Sequence, residues 1–122
     1  MTSRIFLVED HADIRDNLSL ALEEVAGAVV VGHAQSQPEA VGWLARNGDA
    51  WDVAVLDLFL AEGSGFGVVQ ACQDRLPHQR VVVLSNYAQV AASEVLAQGA
   101  DAVFDKAAGL EDFFDYVGLR RA

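Results

Sequence analysis

The stretch "DVAVLDLFLAEGSGFG", Asp52 to Gly67, sets an aspartate, Asp57, directly behind the apolar run Val53-Ala54-Val55-Leu56 and ahead of Leu58-Phe59-Leu60. Four apolar residues bounded by polar ones read as a short buried strand. A carboxylate at the end of such a strand is costly to bury unless it is paired, hydrogen-bonded or bound to a metal. The plainer reading is a strand-end acid that meets water. One aspartate does not decide between the two, so the flanking segments must.

On both sides the same pattern recurs, a short apolar run followed by an amphipathic stretch, five times in all. The strand-like runs are "RIFLVED", "AVVVGHA", "WDVAVLD", "RVVVLS" and "DAVFDK". Between the first two, Ile14, Leu18, Leu22 and Val25 fall on one helical face, and Gly27 is a stop. "SQPEAVGWLARNG" opens with Ser36 and carries Glu39 three residues on, a capping box, and Gly48 closes it. "FGVVQACQDRL" puts Phe66, Val69, Cys72 and Leu76 on one side before Pro77, and Gly99 ends an alanine-rich fourth helix. The last helix has Leu110, Phe113, Phe114 and Val117 at i, i+3, i+4 and i+7. Near-continuous apolar strands are expected to be buried on both faces, as parallel strands are. Strict alternation then gives an α/β fold, a (βα)5 doubly wound five-stranded parallel sheet with helices on both faces. No linker, repeat or low-complexity segment divides residues 1–122, so one domain is expected.

Composition narrows the function. Of 122 residues, 18 are acidic and 8 basic, a net charge of −10. That opposes direct binding to nucleic acid, which depends on Lys and Arg displacing counterions. Arg120 and Arg121 are the only adjacent basic pair and read as a solvated helix end whose cations complement the helix dipole. No apolar run is long enough to insert in a membrane, and no secretory leader pattern follows Met1. The single cysteine, Cys72, forms no internal disulfide, which suits the cytoplasm. His11, His33 and His78 are too scattered to be a metal set; His11, just after the acidic pair, is placed at the pocket rim or, more plainly, in a loop. Trp43 and Trp51 read as packing residues.

Four of the five strands end in polar groups: Glu9 and Asp10, Asp57, Ser85 and Lys106. Open α/β sheets bind ligands beyond the carboxyl ends of their strands, where the strand order reverses. In the order 2-1-3-4-5 the first and third strands are neighbours, and the five residues converge. Three carboxylates together repel unless a cation sits among them. A hard divalent ion such as Mg2+, with Mn2+ as an alternative, suits oxygen ligands in an open site. A hydroxyl and an ammonium opposite them suit an incoming phosphoryl group, which a carboxylate can accept as a nucleophile.

These residues and spacings resemble the receiver domain of bacterial two-component response regulators across essentially the whole chain. Its marks are Glu9-Asp10, "VLDLFL" around Asp57, "VVVLS" ending in Ser85, and "FDK" ending in Lys106. The resemblance implies that Asp57 is the phosphoacceptor. It makes Asp10 a direct Mg2+ ligand, Glu9 a ligand through water, and the Phe59 backbone carbonyl a further ligand. Ser85 would hydrogen-bond the phosphoryl oxygen and Lys106 would pair with it. Phe104 would be a switch aromatic, with a plain core role equally open. Ala61 and Ala107 stand where proline is common in the family. The bond before Ala107 is expected to be trans, or strained if cis. Asn86 and Tyr87 are expected at the pocket rim, where with Phe59 they add bulk. The "GSGFG" glycines match no nucleotide-binding motif and read as a flexible loop with Ser64 as a helix cap.

The function implied is a stand-alone signalling switch with no output domain, and no enzyme beyond its own phosphorylation and dephosphorylation. Its partners would be a sensor histidine kinase or histidine phosphotransfer protein and a downstream protein target. The surface of the fourth helix, fifth strand and fifth helix would carry the signal, with homodimerisation there as an option. Alternatives are a phosphate-independent interaction module, a Mg2+-dependent phosphohydrolase, and a receiver belonging to a longer regulator. The second is disfavoured because Phe59 stands where such enzymes keep a second acid.

Overall fold

The computed structural model describes residues 2–120. In chain order the elements are β1 (Arg4–Val8), α1 (Ala12–Ala26), β2 (Val29–Ala34), α2 (Gln37–Arg46), β3 (Val53–Leu56), α3 (Gly65–Ala71), β4 (Arg80–Ser85), α4 (Ala88–Ala97), β5 (Ala102–Asp105) and α5 (Leu110–Arg120). All strand pairs are parallel, in the order β2-β1-β3-β4-β5. The expected (βα)5 architecture is therefore the observed one.

Strand alternation divides the core into two layers. Ile5, Leu7, Val53, Val55, Val82 and Leu84 face Leu18 and Leu22 of α1 and Phe113 and Val117 of α5. Phe6, Val8, Ala54, Leu56, Val81 and Val83 face the other way, toward Ala40 and Leu44 of α2, Val68 and Val69 of α3 and Val95 of α4. Every one of these strand residues is buried, because parallel strands under two layers of helix have no solvent face. Trp43 reaches across β2 to stack on Phe6, with ring centroids 4.1 Å apart and planes 5° from parallel. Gly32 makes that reach possible: a Cβ there would lie 2.5 Å from the indole.

Helix ends follow the local chemistry. The Ser36 hydroxyl accepts from the Glu39 N–H and the Ser64 hydroxyl from the Gly67 N–H, as N-caps should. Gly27 closes α1 in the left-handed conformation at φ 66°, which costs glycine nothing. α2 stops one residue before the expected Gly48 region, at Asn47, whose side-chain amide donates to the Trp43 carbonyl.

Three expectations need correcting. Val25 is 66% exposed; the buried row of α1 is Leu18-Leu22-Ala26, and Val25 lies one residue, about 100° of helix, away from it. β2 is not covered on both faces: its residues alternate, with Val29 and Val31 exposed, because it is an edge strand. Its register against β1 also slips between Ile5 and Phe6, leaving Val31 opposite nothing. α3 is shorter than its apolar pattern suggests. The Arg75 guanidinium takes the Cys72 and Gly99 carbonyls and the Asp101 carboxylate, turning the chain early and leaving Leu76 exposed. Cys72 stays in the core, where burial pushes its thiol up to about 11 and keeps it unreactive. α5 runs to Arg120, whereas Arg121, the other half of the basic pair, lies outside the described residues. Among the described residues no helix is long and apolar enough to cross a membrane.

The ends of the sheet are pinned apart from the layers. At the N-terminal end Arg4 binds the Asp52 carboxylate through its backbone N–H and guanidinium, and burial of that carboxylate is outweighed by these bonds, so its pKa falls. Nearby, the buried Gln79 amide donates to the Gly48 and Trp51 carbonyls and accepts from the Leu76 N–H. The C-terminal ends of the strands are left for other chemistry.

Candidate functional site

Backbone bonds align the strand ends before any side chain contributes. Glu9 N–H donates to the Ala34 carbonyl, Asp57 N–H to Val8, and Lys106 N–H to Ser85, so β2, β1, β3, β4 and β5 finish at nearly one level. The residues just past those ends therefore crowd together.

Glu9 is 1% exposed and Asp57 9%, an expensive placement for two acids. Lys106 resolves it. Its Nζ lies 2.6 Å from Glu9 Oε2 and 2.8 Å from Asp57 Oδ2, bridging residues 97 and 49 positions away in sequence. Burial would pull the ammonium pKa down, but the hydrogen bonds to Asp57 and Glu9 outweigh it and hold it above the ordinary lysine value. The other Asp57 oxygen, Oδ1, accepts from the Phe59 N–H at 3.3 Å, which curls the following loop over the carboxylate.

Glu9, Asp10 and His11 present ligand atoms that all lie within 4.8 Å of one another. The His11 Nδ1 is 3.1 Å from Glu9 Oε1 and 3.0 Å from Asp10 Oδ1. Its hydrogen bond goes to Glu9, so the buried Asp10 Oδ1 is left without one. The Glu9 bond, then the Asp10 charge, raise the pKa of this exposed imidazole. A buried carboxylate oxygen that accepts no hydrogen bond fits a hard cation. The acidic pair thus groups with His11, expected as a loop residue or at the pocket rim, while Lys106 lies between Glu9 and Asp57.

The remaining expected residues lie around this cluster. Ser85 is fully buried one strand away, and its Oγ accepts from the Tyr87 N–H at 3.1 Å instead of meeting the acids. Phe59 and Tyr87 are each 57% exposed and touch edge to face, centroids 4.8 Å apart. Asn86 is exposed at the mouth of a cavity of about 450 Å³ that it shares with Lys106, Ile14, Leu84 and Phe114. That cavity explains why Ile14 is only partly covered. Phe104 is half-buried between Phe113 and Tyr116, at 5.9 and 5.7 Å.

After Lys106 the chain turns without a proline. All described peptide bonds are trans, including that before Ala107. The Asp105 carboxylate accepts from the Ala107 and Ala108 N–H groups, and its carbonyl accepts from Gly109, so a side-chain turn redirects the chain after Lys106.

The β3–α3 loop is closed by a bridge between Phe59 and Ser64 and by a bond from the Gly65 N–H to the Leu58 carbonyl. Gln37, which carried no signal in the sequence, reaches this loop from α2. Its Oε1 accepts from the Ser64 N–H at 2.9 Å and its own N–H donates to the Glu62 carbonyl at 3.0 Å.

Comparison with known proteins agrees with this geometry. The photosynthetic apparatus regulatory protein RegA of Rhodobacter capsulatus is 32% identical over 115 residues, covering 88% of this chain and 57% of that protein. The chain spans about half the length, or less, of the curated relatives it matches. A two-component response regulator of the LuxR family from Aurantimonas sp. SI85-9A1 superposes with a TM-score of 0.82 at 23% identity, over 99% of this chain and 88% of that one, a likeness of fold. A Burkholderia pseudomallei response regulator, solved with a phosphorylated aspartic acid, a calcium ion and citrate, gives 0.78 at 25% identity over 94% of this chain and 66% of that one. The sequence model of the response regulator receiver domain matches residues 5–117. Five strands in this order, acids and a lysine meeting at their ends, and a match running from β1 into α5 lead to one conclusion: the chain belongs to the receiver domain family of two-component response regulators.

Proposed function

We propose that this chain is a phosphoryl-accepting switch whose acceptor is Asp57. The observation that carries the reading is the Lys106 ammonium shared between Asp57 and Glu9 at the switch point of the sheet. An Asp57 oxygen attacks the phosphorus of a phosphohistidine on a kinase or phosphotransfer protein. The P–O bond forms as the P–N bond breaks, and the imidazole keeps the electron pair. Lys106 stays beside the carboxylate and pairs with the transferred oxygens, while the Phe59 N–H holds the other carboxylate oxygen in place. Catalysis of this kind is mostly positioning and charge neutralisation.

Asp10, Glu9, Asp57 and the Phe59 carbonyl are the groups that would hold Mg2+, or Mn2+ in its place. The ion would neutralise charge on the phosphoryl oxygens. The phosphorylated aspartate and calcium ion of the Burkholderia pseudomallei relative support this reading. Ser85, whose Oγ now accepts from Tyr87, turns its hydroxyl to donate to the phosphoryl group, and Phe104 packs into the space released. The changed surface of α4, β5 and α5 controls binding of a downstream protein, or of a second copy. The domain acts as a protein-binding module with no direct contact to nucleic acid.

Intact mass after incubation with acetyl phosphate and Mg2+ tests the proposal. One phosphoryl adduct is expected on the wild type and none on Asp57→Asn or without Mg2+. A folded wild type that gains no adduct would sink it in favour of a phosphate-independent module.

The rim makes a second expectation. Phe59, in contact with Tyr87, and Asn86, which lines a cavity with Lys106, restrict the approach of attacking water. Asn86→Ala and Tyr87→Ala should shorten the lifetime of phosphorylated protein by several-fold, measured as decay of the adduct. Unchanged decay in both variants would remove the rim from the account.

A further inference from the structure

The proposed site leaves "GSGFG" unexplained, since neither the acids nor Lys106 need three alternating glycines. The structure supplies a reason for two of them in a residue outside the site. A Cβ at Gly63 would run into Gln37 Cβ and Oε1, and one at Gly67 into the Gln37 amide. Gly63 also sits at φ 80°, in the left-handed region. The Gln37 side chain therefore lies in a slot that both glycines keep open, with its oxygen on the Ser64 N–H and its backbone N–H on the Glu62 carbonyl.

That slot governs the acceptor loop. Ser64 pairs with Phe59 across the loop neck, and the Phe59 N–H donates to Asp57. Gln37 thus fixes Ser64, Ser64 fixes Phe59, and Phe59 supplies both the N–H on Asp57 and the carbonyl proposed to face the cation. We infer that Gln37 is a positioning residue, a strut from α2 that sets the Phe59 carbonyl for metal binding and so tunes phosphorylation of Asp57. The inference rests on the metal and phosphoryl reading given above.

Its substitution should leave the fold intact, since the loop keeps its Phe59–Ser64 neck and the Gly65 N–H bond to Leu58. In Gln37→Leu the volume stays and the acceptor oxygen is lost. In Gln37→Glu an oxygen remains to accept from Ser64. Gly67→Ala attacks the same contact from the other side, and the flexible end of Gln37 can yield without backbone movement.

Three measurements on the full chain test the strut. Amide hydrogen exchange in the metal-free protein should quicken across residues 58–65 in Gln37→Leu and Gly67→Ala, and remain near wild type in Gln37→Glu. Direct titration with Mn2+, followed by electron paramagnetic resonance, should show affinity weakened about three- to tenfold in the same two variants, the range that one lost neutral hydrogen bond accounts for. The Mg2+ concentration that half-saturates phosphorylation by acetyl phosphate should rise in step, with the maximal rate little changed. Faster exchange with unaltered Mn2+ affinity would overturn the inference, as would unaltered exchange. A wild type that binds no Mn2+ and takes no phosphoryl group would instead overturn the site reading, and metal positioning with it.

Discussion

Lys106→Met is expected to unfold at markedly lower temperature than the wild type when divalent ions are chelated, and to recover much of the loss when Mg2+ is added. Glu9 and Asp57, both buried, share one partly buried cation, and methionine fills the lysine's volume without its charge. Removing one partner of a buried ion pair costs about 3–5 kcal/mol, because the remaining charges stay desolvated and uncompensated. Here two carboxylates would face each other, so one takes up a proton or the end of the sheet loosens. A divalent ion held by Asp10, Glu9 and Asp57 would return the missing charge, which makes the stability of this variant more Mg2+-dependent than that of the wild type. Thermal denaturation of both proteins, with chelator and with millimolar Mg2+, reads the effect directly. Equal Mg2+ responses in the two would mean that the ion is not bound beside Lys106.

Gly65→Ala should be nearly as damaging for a different reason. A Cβ at Gly65 would overlap the Asp57 carbonyl oxygen and come within 2.8 Å of the Leu58 Cα. Unlike the Gln37 side chain, those are backbone atoms of the acceptor segment and cannot rotate away. Overpacking of this kind costs about 3 kcal/mol at its upper end, and for a domain of this size that is a fall of roughly 10 °C in Tm. Phosphorylation should suffer beyond the stability loss, since relief of the clash moves Asp57 itself. Gly48→Ala is the control: a Cβ there meets nothing within 4 Å. If Gly65→Ala melts and phosphorylates like Gly48→Ala, the close approach of α3 to the acceptor strand has no consequence.

Much of this architecture was legible because parallel strands under two helical layers admit almost only apolar residues. A polar group at the end of such a run, Glu9, Asp57, Ser85 or Lys106, stands out against that background. Val25, the length of α3 and the exposure of β2 were not legible. Each depends on where an element lies relative to the rest: a helix's rotation over the sheet, a distant arginine reaching a carbonyl, a strand's place at the edge. His11 was legible only as a rim or loop residue from its position directly after Glu9 and Asp10; that its ring would reach both carboxylates depends on the local turn. Gln37 gave no local signal at all. Its role comes from 27 residues of separation closed by the fold, and its only trace in the chain is the space that Gly63 and Gly67 leave for it.

The unpaired Val31 gives the free edge of the sheet a property unconnected with signalling. Parallel pairing with β1 runs through Arg4 and Ile5, breaks, and resumes one residue out of step at Phe6. The outer side of β2 must carry the same kink, since both sides belong to one backbone. A strand from another molecule laid along it would find two rungs of the ladder in line and then a mismatch. Crowded copies of this protein are thereby denied the continuous hydrogen-bonded template from which fibres grow, even though Val29 and Val31 offer an apolar surface there.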